Sequence, residues 1–125
     1  MNAKFDSEIR QRYLAVDTAN VADVLDTLGL TNQGLAAEFA AVSGTRLAGW
    51  AYTIAGRMQY YEGGGDPMKM EACNGIGPDE ISVWSGNGEG ICYFGELIAV
   101  GMKEQGSVGG TRRRRCARCP VVERT

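Results

Sequence analysis

The stretch GNGEGICYFGELIAVG, residues 86–101, sets a glycine-rich run directly in front of an apolar helical repeat. The start of a helix presents backbone N–H groups without intrahelical acceptors and a partial positive charge, so it receives carboxylates and phosphates without a cationic side chain. Gly95 has no Cβ and lets an anion approach the main chain, while Glu96, Leu97 and Ile98 supply the next amides. The chemistry offered here is anion binding.

Other chemistries are narrower. The chain contains no histidine, which excludes His-based metal sites and Ser-His or Cys-His nucleophiles. Carboxylates, Lys, Arg, Tyr, Cys or a metal remain. The triple glycine Gly63–Gly65 lacks the Lys-Ser/Thr pair of a P-loop and reads as a loop. Tyr60, Tyr61 and Glu62 beside it read as surface residues of that loop. Asp79 and Glu80, neighbours in a GPDE turn, are expected to be solvated rather than an acid/base pair. The cysteines Cys73, Cys92, Cys116 and Cys119 form no disulfide framework and are expected as free thiols.

These residues need elements to position them. Phe5, Ile9, Tyr13 and Leu14 predict an amphipathic helix near 5–15. Thr18 reads as the N-cap of a second helix whose Val21, Val24, Leu25 and Leu28 form a stripe expected to face the core, closed by Gly29 as a left-handed cap. A strand follows at about Arg46 to Ala55, with Gly44 and Gly49 marking a bulge or a close backbone approach. Asp66-Pro67 opens a helical stretch in which Met68, Met70 and Cys73 are expected to pack. ISVWSG is a short strand with Ile81, Val83 and Trp84 as its apolar members. FGELIAVGMKEQG is a helix, with Leu97, Ile98, Val100 and Met102 apolar and Gly106 at its end. The alternation of helix and strand argues for an α/β or mixed sandwich.

At 125 residues the chain suits one domain, and 44% hydrophobic with 22% charged residues is a globular composition. No apolar run approaches the roughly 20 residues that cross a bilayer, and the N-terminus lacks a signal-peptide core, so a cytoplasmic location is expected. Charge is divided. Residues 1–105 carry 7 basic and 14 acidic side chains, while residues 106–125 carry 6 basic and 1 acidic.

TANVADVLDTLGL, GTRLAGWAYTIAG and GPDEISVWSGNGEGICYFGELIAVGMKEQGSVGG, in that order, resemble the RraA-like family over about residues 15–110. That family includes the regulator of ribonuclease activity and the 4-hydroxy-4-methyl-2-oxoglutarate aldolases, many members having been labelled demethylmenaquinone methyltransferases. The resemblance implies an α/β fold, a swivelling β/β/α sandwich assembled as a homotrimer or hexamer. It further implies a divalent-metal-dependent lyase cleaving short 2-oxo acids such as oxaloacetate to pyruvate. The backbone of Gly95, Glu96, Leu97 and Ile98 would hold the substrate carboxylate, and a downstream arginine and aspartate would hold substrate and Mg²⁺. A hard cation on the ketone oxygen suits this chemistry because cleavage leaves a pyruvate enolate. The alternative implied by the same family is a non-catalytic regulator that binds a ribonuclease through protein contacts.

The motif's arginine and aspartate fall at positions 117 and 118, where this chain has Ala117 and Arg118, so no catalytic or metal residue is identifiable. The likeness stops near Gly109-Gly110. The tail TRRRRCARCPVVERT admits four readings: a nucleic-acid arm, half a zinc site, a solvated terminus, or a shifted reading frame. Four arginines without interleaved aromatics make nucleic acid a poor partner. Two cysteines are too few for a structural zinc site. The adopted reading is the frame shift, since permitted codons for this stretch rewrite to an Arg-Asp pair in register. On that reading the domain occupies 1–110, its C-terminal part is missing, residues 111–125 do not continue the sheet, and this copy is impaired.

Overall fold

The computed structural model describes residues 6–35, 39, 44, 46–57, 60, 62–86 and 95–112. Its elements run α1 (Ser7–Ala15), α2 (Thr18–Thr27), β1 (Trp50–Ala55), α3 (Pro67–Asn74), β2 (Glu80–Ser85), α4 (Glu96–Glu104) and β3 (Gly109–Arg112). The three strands form one parallel sheet in the order β1-β2-β3. The chain is therefore α/β, with α3 and α4 as crossovers that pack against each other.

Local chemistry sets the helix ends. Asp6 caps α1, its carboxylate accepting from Glu8 N at 2.8 Å. Asp66 caps α3 by accepting from Lys69 N at 3.0 Å, and Pro67 takes the first helical position. We expect Asp66→Ala to lower stability by about 1 kcal/mol in urea unfolding, with Asp66→Asn close to wild type. Helices α2 and α4 end in the same device. Gly29 N donates to Asp26 O at 3.0 Å and Leu30 N to Leu25 O at 2.9 Å; Gly106 N donates to Lys103 O at 2.9 Å and Ser107 N to Met102 O at 3.0 Å. Both glycines are left-handed, at φ 75° and 97°. The expected cap of α2 shifts by one residue: Thr18 is the first helical residue and Asp17 the N-cap, making no side-chain cap bond because its carboxylate is engaged by Arg46.

Register places the core. Tyr52 lies beside Ser82 and Ile54 beside Trp84, and alternation along the strands turns these residues to one face. Over that face Ile54, Trp84, Cys73, Ile76 and Met102 form the buried cluster, with Tyr52, Ala72 and Ile98 against it. The Tyr52 hydroxyl donates to Ala72 O at 2.7 Å and ties β1 to α3. Oriented to satisfy both bonds, the Gln105 amide nitrogen donates to Asn74 O at 2.7 Å and Ile76 O at 3.2 Å, joining the ends of α3 and α4.

Several expectations are corrected. The α2 stripe does not face a core: α2 buries no residue, and Val24 is 60% and Leu28 67% exposed. An amphipathic stripe says which face seeks cover, and among the described residues little covers this one. Met68 and Met70 do not pack, being 66% and 49% exposed, whereas Cys73 is buried. The strand expected from Arg46 begins at Trp50, since residues 46–49 lack strand pairing. The sheet also does not stop at residue 110: Thr111 pairs with Val83 and Arg112 with Trp84, so β3 crosses the expected domain limit by two residues.

Candidate functional site

The strand and helix that flank the glycine-rich stretch lie where the sequence reading places them. Strand β2 ends at Ser85, and α4 opens at Glu96 with Gly95 as N-cap in extended backbone and no side-chain cap bond. In parallel sheets ligands bind beyond the carboxyl ends of the strands, where the following helices begin. The first bond of α4 runs from Ala99 N to Gly95 O at 3.1 Å, which leaves the amides of Glu96, Leu97 and Ile98 without acceptors inside the helix.

Among the described residues, a Cβ added at Gly95 would meet nothing within 4 Å; Leu97 is exposed, and Ile98 anchors the turn against the core. Such an arrangement accepts a carboxylate by charge-assisted hydrogen bonds from consecutive amides. The Glu96 carboxylate in the same turn adds a negative charge that opposes an incoming anion. The glycine-rich residues 87–94, Cys92 among them, lie outside the described residues.

The remaining singled-out residues do not join this site. Gly63, Gly64 and Gly65 all have positive φ, at 86°, 71° and 108°, and with Glu62, Asp66, Pro67 and Met70 they line a shallow open depression. Two carboxylates border it and Asp66 already occupies the start of α3, so it is no phosphate cradle. Tyr60 is exposed, as expected of a surface loop, and Tyr61 lies outside the described residues. Burial pushes the Cys73 thiol pKa up, against a smaller lowering by Lys69, so the group stays protonated and is a poor nucleophile or metal ligand. Cys116 and Cys119 lie outside the described residues.

Asp79 and Glu80 correct the expectation of a solvated turn. Glu80 is 7% exposed and accepts from Gly77 N at 2.7 Å. Its own carbonyl accepts from Val108 N at 2.9 Å. Asp79, left-handed at φ 62°, pairs with Arg10 at 3.1 Å and accepts from the Ser7 hydroxyl. Sequence reasoning missed this group because Ser7 and Asp79 stand 72 residues apart, and no local pattern links them.

Among the described residues no three His, Cys, Asp or Glu side chains gather. Positions 117 and 118, where the resemblance would put an arginine and an aspartate, hold Ala117 and Arg118 and lie outside the described residues. No described helix is long and apolar enough to cross a membrane. Comparison with protein-family models, with curated proteins and with solved structures finds no match.

Proposed function

We propose that the start of α4 is a carboxylate seat of the RraA-like type, and that the chain binds short 2-oxo acids such as oxaloacetate and pyruvate without turning them over efficiently. One observation carries the reading: Gly95 caps α4, the helix that follows a parallel strand, without a side-chain cap bond, and no described residue comes within 4 Å of a Cβ placed there. The amides of Glu96, Leu97 and Ile98 hold the acid and orient its carbonyl. Cleavage of the adjacent carbon–carbon bond would need a cation on that carbonyl oxygen. The arginine and aspartate that the resemblance would put at 117 and 118 are Ala117 and Arg118 here, so no catalytic step is assigned to this chain.

Titration with pyruvate, followed by backbone amide shifts, tests the seat. We expect saturable movement of the Glu96–Ile98 amides that Mg²⁺ alone does not produce, together with oxaloacetate decarboxylation no faster than the metal-catalysed background. Gly95→Ala should weaken the titration at least about tenfold by crowding the approach. Its effect on folding should be limited to about the N-cap preference of glycine over alanine, because the position is extended and no described residue would touch the added Cβ. Amides that stay still at saturating pyruvate would remove the proposal.

A second reading is the ribonuclease regulator, favoured by the exposed Val24 and Leu28 on α2 together with Leu30 and Leu35. The trimer or hexamer of the resemblance is one cover for that stripe, and a protein partner is the other. Capture of an RNA-degradation protein that persists in EDTA and is lost in Val24→Asp supports the regulator. Loss of capture on chelation counts against it.

A further inference from the structure

We infer that α1 is a strap fastened to the base of the sheet by two arginine clips, able to undock while the sheet and its two crossover helices stay folded. The inference does not depend on the carboxylate seat, which lies at the other end of the strands. Packing holds α1 weakly: it buries no residue, and only Ile9, Arg10 and Leu14 are partly covered. Polar contacts do the fastening. Arg10 Nε donates to Ala48 O at 2.9 Å, and its Nη1 lies 3.1 Å from Asp79 Oδ1, both side chains being only about one fifth exposed (18% and 20%). The other oxygen of Asp79 accepts from the Ser7 hydroxyl in the first turn of the same helix. Asp79 itself is fixed to the body, its amide donating to Gly106 O at 3.1 Å and its carbonyl accepting from Trp50 N at 3.0 Å.

The second clip closes the far end of α1. Arg46 Nη1 donates to Leu14 O at 2.9 Å, with Val16 O at 3.5 Å, and its Nη2 pairs with Asp17. This places a cation on the terminal carbonyls of the helix, where it is electrostatically favoured. The pair is about half exposed or more (51% and 69%), so solvent and salt reach it readily. One clip is thus shielded and the other wet, and both are charge-dependent. Salt loosens such ties while leaving apolar burial in place. A helix of nine residues is not stable alone in water, so an undocked α1 unravels and its amides lose protection.

Hydrogen exchange of the full chain reads this directly. Raising NaCl from about 0.01 M to about 1 M shortens the Debye length from roughly 30 Å to roughly 3 Å. We expect α1 amides to exchange about tenfold faster across that range, with β1 and β2 amides unchanged. Asp79→Asn removes the charge while an asparagine still tolerates the left-handed backbone. It should accelerate α1 exchange at low salt as well, leaving the part of the salt response that the exposed Arg46–Asp17 pair supplies. If α1 exchanges in step with the strands at both salt concentrations, or if Asp79→Asn accelerates every element equally, α1 is an integral part of the fold and no strap exists. An Asp79→Asn chain with unaltered α1 exchange overturns the inference equally.

Discussion

Trp84→Ala is expected to abolish cooperative folding of this chain at room temperature. Trp84 is 5% exposed, stands in the central strand and pairs in register with Ile54. The buried apolar cluster around it, among the described residues, is completed by Ile54, Cys73, Ile76 and Met102. Removing a buried tryptophan costs about 3–5 kcal/mol, the lost transfer energy adding to an unfilled cavity. A small domain has a total stability of roughly 5–15 kcal/mol, so a loss of this size removes a large part of it. Near-UV circular dichroism and urea unfolding measure the outcome. Trp84→Phe, which keeps a ring in the site, should retain a sigmoidal transition at a lower midpoint. An unchanged midpoint in Trp84→Ala would mean that the crossover helices do not close on the sheet as described.

The second large effect is expected at Gly106. Its φ of 97° is already costly for an L residue, and a Cβ there would lie 2.8 Å from Pro78 Cα. Backbone cannot swing aside as a flexible side-chain end can. Gly106→Ala should therefore cost about 3 kcal/mol, the left-handed penalty of about 1–2 kcal/mol adding to overpacking of similar size. Gly29 is the control, because it ends α2 with the same pair of bonds at φ 75° but has nothing within 4 Å of an added Cβ. Gly29→Ala should lose only the conformational part. Paired urea midpoints separate the two, and equal losses would show that the Pro78 turn yields at little cost.

The contrast between these glycines also measures how far sequence reading reaches. Both are legible as helix ends, since a left-handed cap is a local requirement of the chain. That Gly106 presses on Pro78 while Gly29 meets no described residue within 4 Å depends on the α4–β3 turn meeting the GPDE turn, which no spacing announces. Gly49 lies between these cases. Its place at the head of a strand suggests a close backbone approach, and an added Cβ would indeed lie 2.7 Å from Asp79 O. The partner itself is not legible. The candidate seat shows the same division: Gly95 opening α4 can be read from the chain, whereas the packing of Ile98 on the core beside it is a property of the assembled turn.

By itself, the sequence determined the helices, the glycine ends of α2 and α4, the alternation that makes the chain α/β, and the amides available at Gly95–Ile98. These are set by interactions spanning about one helical turn or one strand. Tertiary structure alone decided that Glu80 is buried, that Asp79 is clipped to Arg10, and that the α2 stripe and two methionines remain exposed. Burial and ion pairing depend on which distant segments meet. A residue's type states what it needs from its surroundings, and only the packed chain determines whether that need is met.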